Sequence, residues 1–336
     1  MRIHVVGPGA IGSLVAFHLK RATAHPIVLH YRRLPPESAH TIRFGPASGS
    51  SEVSFQTGFL LEHPQAVLQE REHIDALVVT TKVQQVHGAV KALVSARRLS
   101  NASTVFLLSN GLPSVLPALH DVFAAPDASG PTLLVGHTSH GVYKGADGYW
   151  VHAGLGRMVC AAVPSSSSPP ASLGVLRSAL EACTPLNVAF ASYADWRAGA
   201  LSKLSVNCAV NGASALIDTK NGALLLPSAR PFIEALLGEV AAVYAAAGET
   251  GPLSHADLIR TTMDMIETTK TNVSSTLADI RRVSVGVGED ADSYTELAHM
   301  NGYISRLGKQ YGISTPLNDA VVALVETKGR ARAMGI

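Results

Sequence analysis

RIHVVGPGAIGSLVAFHLKRA, residues 2–22, carries three local signals in one run. RIHVV (2–6) is short and rich in β-branched residues, and it predicts a buried strand. IGSLVAFHLKRA (11–22) has apolar residues at helical spacing and predicts a helix. Between them stands GPGAIG, with glycines at 7, 9 and 12. A lone G-x-G-x-x-G is a weak signal, and its weight here comes from following a strand and opening a helix. Gly7 permits the tight turn, Gly9 lets a pyrophosphate approach the backbone, and Gly12 lets helix pack on strand. Pro8, Ala10 and Ile11 complete the candidate phosphate-binding turn. The helix start adds free N–H groups and a positive dipole end. The plainer alternative is an ordinary glycine-rich turn.

Outward from this run, further apolar strands are predicted at 25–31 (HPIVLHY), 76–82 (ALVVTTK), 104–110 (TVFLLSN) and 132–140 (TLLVGHTSH), with helical stretches between several of them. Short continuous apolar runs joined by helices predict a parallel sheet with right-handed crossovers. PSSSSPP at 164–170 has linker composition, but a helix-like LGVLRSALEA and a strand-like NVAFA still follow it. From about Ala191 the pattern turns helical, over 196–216, 232–248, 258–272 and 295–312. The expected architecture is α/β: a Rossmann-type doubly wound parallel sheet over 1–190, then an all-helical domain over 191–336.

Length and composition narrow the class. The chain has 336 residues, 47% of them hydrophobic and 15% charged, enough for two domains with a real core. Its 27 basic and 25 acidic residues leave +2, which argues against a polybasic nucleic-acid binder. No apolar run reaches the length of a membrane span. Three scattered cysteines suit neither a disulfide scaffold nor a zinc cluster, and the 14 histidines show no ligand spacing, so no metal is expected. A strand starting at residue 2 leaves no room for a leader, so the expected compartment is the cytoplasm, with mitochondrial import left open.

The second strand bears on the choice of dinucleotide. NAD enzymes place a carboxylate roughly 20 residues after the glycines to hold the ribose 2′-hydroxyl. Here the strand ends Leu29-His30-Tyr31-Arg32-Arg33, with no carboxylate and two guanidinium groups. Arginine's planar fork suits a phosphate, so NADP is expected, unless the pair is only a solvated surface feature. Lys82 and Asn110 end the next two strands, where ligands of open parallel sheets sit, although strand-end polar residues are often plain loop residues.

The helical half contains KLSVNCAVN, with Lys203, Asn207 and Asn211 at i, i+4 and i+8 on one face. An ammonium and two amides on an otherwise apolar helix cost desolvation unless something polar meets them. A small anionic, oxygen-rich substrate would do so; a solvated stripe is the alternative. Asn272 and Ser275 could hold a carboxylate or hydroxyl, or cap a helix. Glu296, taken alone, is one carboxylate among many.

Together these pieces resemble the ketopantoate reductase family over nearly the whole chain. GPGAIG, VVTTK (78–82) and SNG (109–111) are similar to its N-terminal signatures. KLSVNCAVNGASAL (203–216), NVSSTLADI (272–280) and TELAHMNGYI (295–304) are similar to its C-terminal ones. The resemblance implies Lys203 as catalytic proton donor and Glu296 as the acidic residue near the nicotinamide and the reacting hydroxyl. It implies substrate contacts at Asn207, Asn211, Asn221, Asn272 and Ser275. For the cofactor it implies Arg32 on the 2′-phosphate, with Arg33 as substitute if the register slips, and contacts at Lys82, Asn110 and Val142. Ala298 and His299 replace the family's Asp-Tyr pair, which bears on substrate preference, and the 164–170 insertion is longer than usual, as for a surface loop.

The expected activity is therefore NADPH-dependent reduction of 2-dehydropantoate, with Lys203 as acid, in a cytoplasmic monomer or homodimer without nucleic-acid or membrane partners. A paralogue reducing another 2-oxo acid and a non-catalytic cofactor-binding scaffold are the rivals.

Overall fold

The structure is a computed structural model that describes residues 1–31, 40–45, 53–62, 72–123, 130–145, 147–165, 168–285 and 294–336. It divides into two compact units, Met1–Trp196 and Arg197–Ile336.

The first unit is built on β1 (Ile3–Val6), β2 (Ile27–His30), β5 (Leu60–Glu62), β6 (Ala76–Val79), β7 (Thr104–Leu108), β8 (Thr132–Thr138), β11 (Met158–Ala162) and β12 (Val188–Phe190). They form one sheet in the order β12-β11-β8-β7-β6-β1-β2-β5. All neighbours pair in parallel except β8 with β11. The run β5-β2-β1-β6-β7-β8 is the doubly wound order, and the chain departs from β1 to opposite sides. β2, β6 and β7 are buried along their whole length, which is why they read as unbroken apolar runs. Helices α1 (Ala10–Ala22), α2 (Val83–Ser95), α3 (Leu116–Phe123) and α4 (Ala171–Glu181) complete the wrapping.

A second, four-stranded sheet escapes the sequence pattern. Its strands are β3 (Ile42–Gly45), β4 (Ser54–Gln56), β9 (Gly141–Lys144) and β10 (Trp150–Gly154), in the order β4-β3-β10-β9. They are short and half-exposed, so they leave no long apolar run to detect. Phe44 meets Phe17 of α1 edge to face at 5.0 Å and ties this sheet to the main core.

Every described regular element of the second unit is helical. The division falls inside α5 (Tyr193–Ile217), which is followed by α6 (Arg230–Ala246), α7 (His255–Thr268), α8 (Ser275–Arg282), α9 (Asn301–Tyr311) and α10 (Pro316–Met334). Leu201, Leu204 and Cys208 of α5 share a core with Leu237, Val240, Leu277, Ile304 and Val325.

Two expected helices change. The stretch 258–272 starts earlier, at His255, because Ser254 caps it through the Asp257 N–H, and it ends at Thr268. The stretch 295–312 is not one helix. Leu297–His299 forms a 3₁₀ turn, Met300 leaves helical geometry (φ −113°, ψ −92°), and α9 starts only at Asn301. Glu296 thus stands on a turn rather than on a helix. The described ends of the 164–170 insertion are mostly exposed and irregular, as expected for a surface loop. No described helix is long and apolar enough to cross a membrane.

Candidate active site

The glycine turn explains itself by contact distances. Gly7 has φ +85°, and a Cβ there would stand 2.7–2.9 Å from Thr81. A Cβ on Gly12 would stand 2.4 Å from both the Gly7 carbonyl and Thr80 Oγ1. At exposed Gly9 a Cβ would meet only the Gly7 oxygen, 4.0 Å away, so its backbone is open to an incoming group. Gly9 is the N-cap of α1, without a side-chain cap, and no acidic residue occupies the first turn. Ser13 N–H donates to the Gly9 carbonyl at 2.8 Å, and its hydroxyl donates to the Pro8 carbonyl at 3.1 Å. The earlier N–H groups of Ala10, Ile11 and Gly12 have no intrahelical acceptor by position. An open cradle at an uncapped helix start without negative charge fits a dinucleotide pyrophosphate.

Residues that the sequence reading did not single out hold this turn. The Thr80 hydroxyl donates to the Gly7 carbonyl at 2.8 Å, and its N–H donates to Val6 O at 2.9 Å. The Ser109 hydroxyl donates to Thr81 O at 2.7 Å. The available signal was the switch from apolar to polar at the ends of VVTTK and TVFLLSN. Lys82 is the N-cap of α2, and Asn110 follows β7 just before left-handed Gly111 (φ +72°). Because β1, β6 and β7 are parallel neighbours, Lys82 and Asn110 stand at the same sheet edge as the glycine turn. Val142 lies on β9 of the second sheet, opposite His152, rather than at the end of a central strand. Arg32 and Arg33 lie outside the described residues.

The fold also gathers groups that no spacing announced. His4, His30, Glu62 and Arg98 are all buried. His4 Nδ1 and His30 Nε2 share a hydrogen bond at 2.9 Å, and Glu62 Oε2 lies 3.8 Å from each. These three could offer atoms to a cation, but Arg98 already pairs with the Glu62 carboxylate. Burial, with the Arg98 charge assisting, drops both imidazoles to about 3. They are neutral at pH 7, and the cluster is a buried polar network of the core in which His30 Nδ1 has no partner among the described residues.

In the second unit, α5 is encased almost all round. Between Ala200 and Ala215 only Ser202, Lys203 and Asn207 escape full burial. Lys203 and Asn207 are therefore the half-buried members of the polar face of the KLSVNCAVN segment, and Asn211 is buried. Burial lowers the Lys203 pKa from 10.5 to about 8, and the nearby Glu296 carboxylate opposes that fall. Asn207 makes no side-chain hydrogen bond among the described residues, whereas Asn211 Nδ2 donates to Ser275 Oγ at 3.4 Å. Asn221 donates to Thr269 Oγ1 at 3.0 Å, and its buried Oδ1 has no partner among the described residues. The carbonyl of exposed Asn272 accepts from the Asn221 N–H at 3.0 Å. Ser274, rather than Asn272 or Ser275, caps α8, leaving the side chains of the latter two on the surface. Glu296 is 6% exposed. Asn301 is structural: its Nδ2 reaches Cys208 O at 3.1 Å and Asn318 Oδ1 at 3.0 Å, tying α9 to α5 and α10.

A doubly wound unit with an open glycine cradle, and a helical unit that sets a depressed lysine near a carboxylate, define a nucleotide-dependent oxidoreductase. Residues 3–165 match the family Ketopantoate reductase PanE/ApbA, and residues 195–329 match its C-terminal domain. The chain belongs to the ketopantoate reductase family. A 2-dehydropantoate 2-reductase from Vibrio cholerae is 30% identical over 97% of this chain and 97% of that protein. The fold is shared with a ketopantoate reductase from Ralstonia eutropha JMP134 (TM-score 0.77, 23% identity, 99% of each chain). It is also shared with a D-mandelate dehydrogenase solved with NADH and anilino(oxo)acetate (TM-score 0.80, 20% identity, covering 98% of this chain and 99% of that one).

Proposed function

We propose that this chain catalyses the NADPH-dependent reduction of 2-dehydropantoate to pantoate, in pantothenate and coenzyme A biosynthesis. The observation that carries the reading is the Lys203 ammonium, held on a half-buried position of an otherwise enclosed helix near Glu296, with its pKa brought to about 8 by burial. Such a group is still mostly protonated at pH 7 yet gives up its proton far more readily than a free lysine.

When bound over the glycine turn, the cofactor would supply a hydride for reduction of the ketone. The protein's own part is charge and position. Lys203 faces the ketone oxygen, stabilises the negative charge that develops there and donates the proton to it. Glu296 keeps the lysine charged until that donation. Asn207, Asn211, Asn221, Asn272 and Ser275 supply amides and a hydroxyl for the carboxylate and distal hydroxyl of the substrate. Gly7, Pro8, Gly9, Ala10, Ile11 and Gly12 receive the pyrophosphate, and Lys82, Asn110 and Val142 complete the cofactor contacts. A small 2-oxo acid is the partner this chemistry requires, with the chain working in the cytoplasm as monomer or homodimer. The three cysteines are free and buried, with thiol pKa values raised by burial, so they offer no competing nucleophile.

The test is NADPH absorbance decay with 2-dehydropantoate, repeated with NADH. NADPH is expected to be preferred by at least about 10-fold in kcat/KM, the size of one charge-assisted phosphate contact. Arg32→Ala should erase most of that preference while leaving kcat within a few-fold; if Arg33→Ala does so instead, the phosphate arginine is Arg33. Equal use of both cofactors by the unaltered protein would contradict the NADP assignment.

One observation favours a second reading, a different 2-oxo acid. Where the family carries Asp-Tyr, this chain has Ala298 and half-buried His299, and Arg306 donates to the Ala298 carbonyl at 2.9 Å. A panel of 2-oxo acids decides: kcat/KM highest for 2-dehydropantoate supports the first reading, and a higher value for another acid supports the second.

A further inference from the structure

Glu296 is held from outside its own segment. It caps the 3₁₀ turn Leu297–His299 (φ −89°, ψ 4°), its carbonyl accepting from the His299 N–H at 2.9 Å, and Met300 breaks the chain before α9, so no α-helix carries it. The fixing groups come from α10. Glu326 accepts a hydrogen bond from the Tyr294 N–H at 3.1 Å and another from the Thr295 hydroxyl at 2.8 Å. Thr295 Oγ1 in turn accepts from the Leu297 N–H at 3.2 Å. Residues on both sides of Glu296 are thereby tied to one carboxylate. Thr295 is 1% exposed, so this relay is shielded from solvent competition.

The docking is close as well as polar. At Gly329, one turn beyond Glu326 on the same helix, a Cβ would stand 2.9 Å from the Tyr294 side chain. The glycine lets Tyr294 lie against α10 while Glu326 catches its amide. The site carboxylate is thus mounted on α10 through a three-residue clamp, the arrangement that holds a functional group to fractions of an ångström.

We propose that Glu326 is a positioning residue of the reaction: its carboxylate fixes the 294–297 turn and thereby sets the Glu296 carboxylate near the Lys203 ammonium. The proposal rests on Lys203 being the proton donor. Glu326 touches neither reactant and acts through Glu296. The Glu296 carboxylate acts on Lys203, and its effect is to favour the protonated form. Releasing the turn therefore removes support for that form, and Lys203 loses its proton at a lower pH.

The experiment compares Glu326→Ala, Glu326→Gln and Glu296→Gln with the unaltered protein, measuring kcat, KM for the 2-oxo acid and the pH dependence of kcat/KM. Glu326→Ala is expected to lower kcat about 10- to 100-fold, as misplacement of a site group does, with KM within about threefold. Its alkaline limb should move to lower pH, in the direction of Glu296→Gln. Glu326→Gln keeps only one acceptor oxygen and should fall between. A Glu326→Ala protein whose limb stays in place, with activity reduced only in proportion to its folded fraction, would reduce Glu326 to an anchor of the fold and overturn the proposal. Should that variant not fold, Thr295→Val breaks the same relay and gives the same two outcomes. Lys203→Ala run in parallel separates the two ideas: full activity there defeats the reading of Lys203 itself, whatever Glu326 does.

Discussion

Lys203→Ala is expected to cost about 10³-fold in kcat, within the range that a positioned general acid supplies, while KM for the 2-oxo acid changes little. The fold should survive. Lys203 is half-buried, its charge is held at a desolvation cost, and Ala is the better helix former. Lys203→Arg should not rescue the rate, although it keeps the charge, because a guanidinium with a pKa above about 12 is a poor proton donor at neutral pH. That pair of variants separates donation from simple charge stabilisation. If arginine restores the rate to within about threefold, the ammonium serves only as a charge and the proton comes from elsewhere.

The second large effect falls at the other unit. Gly12→Ala adds one methyl group, placed 2.4 Å from both the Gly7 carbonyl and Thr80 Oγ1. Neither neighbour can retreat easily. The Gly7 carbonyl accepts from the Thr80 hydroxyl, and Thr80 is itself tied by its N–H to Val6 O. Overpacking of this kind costs about 1–3 kcal/mol of stability, and here it also moves the cradle itself. Cofactor binding should weaken by about 10²-fold or more, as read by NADPH fluorescence titration. Gly9→Ala makes the internal control, since its methyl would meet nothing closer than 4.0 Å within the protein. It should leave stability nearly unchanged and weaken only the cofactor. Equal thermal stability of Gly12→Ala and the unaltered protein would show that the turn is not packed as described.

Much of this was readable from residues alone because it is local. The β1–turn–α1 unit is written in a change of period from strand to helix with glycines at the change. The Lys203, Asn207 and Asn211 face was readable because one helix carries it and helical spacing fixes which residues align. What stayed hidden depends on distant partners. His4 and His30 are 26 residues apart, and only parallel pairing of β1 with β2 brings them together. The contact that fixes the segment ahead of α9 joins Thr295 to Glu326, which are 31 residues apart, so no local pattern announces it. The four-stranded sheet was missed because its strands are three to five residues long and half-exposed. Helix α10 mixes apolar and charged residues around its circumference, so its 19 residues give little periodic signal.

The pH dependence of kcat/KM for the 2-oxo acid, measured at saturating NADPH, tests the proton-donor assignment most directly. Reduction needs the protonated lysine, so activity should be level below the Lys203 pKa and fall about tenfold per pH unit above it, with the bend near the value of about 8 that burial imposes. The reverse oxidation should show the opposite slope. A reduction rate that stays level from pH 7 to beyond about 10, near the ordinary lysine pKa, would contradict the account.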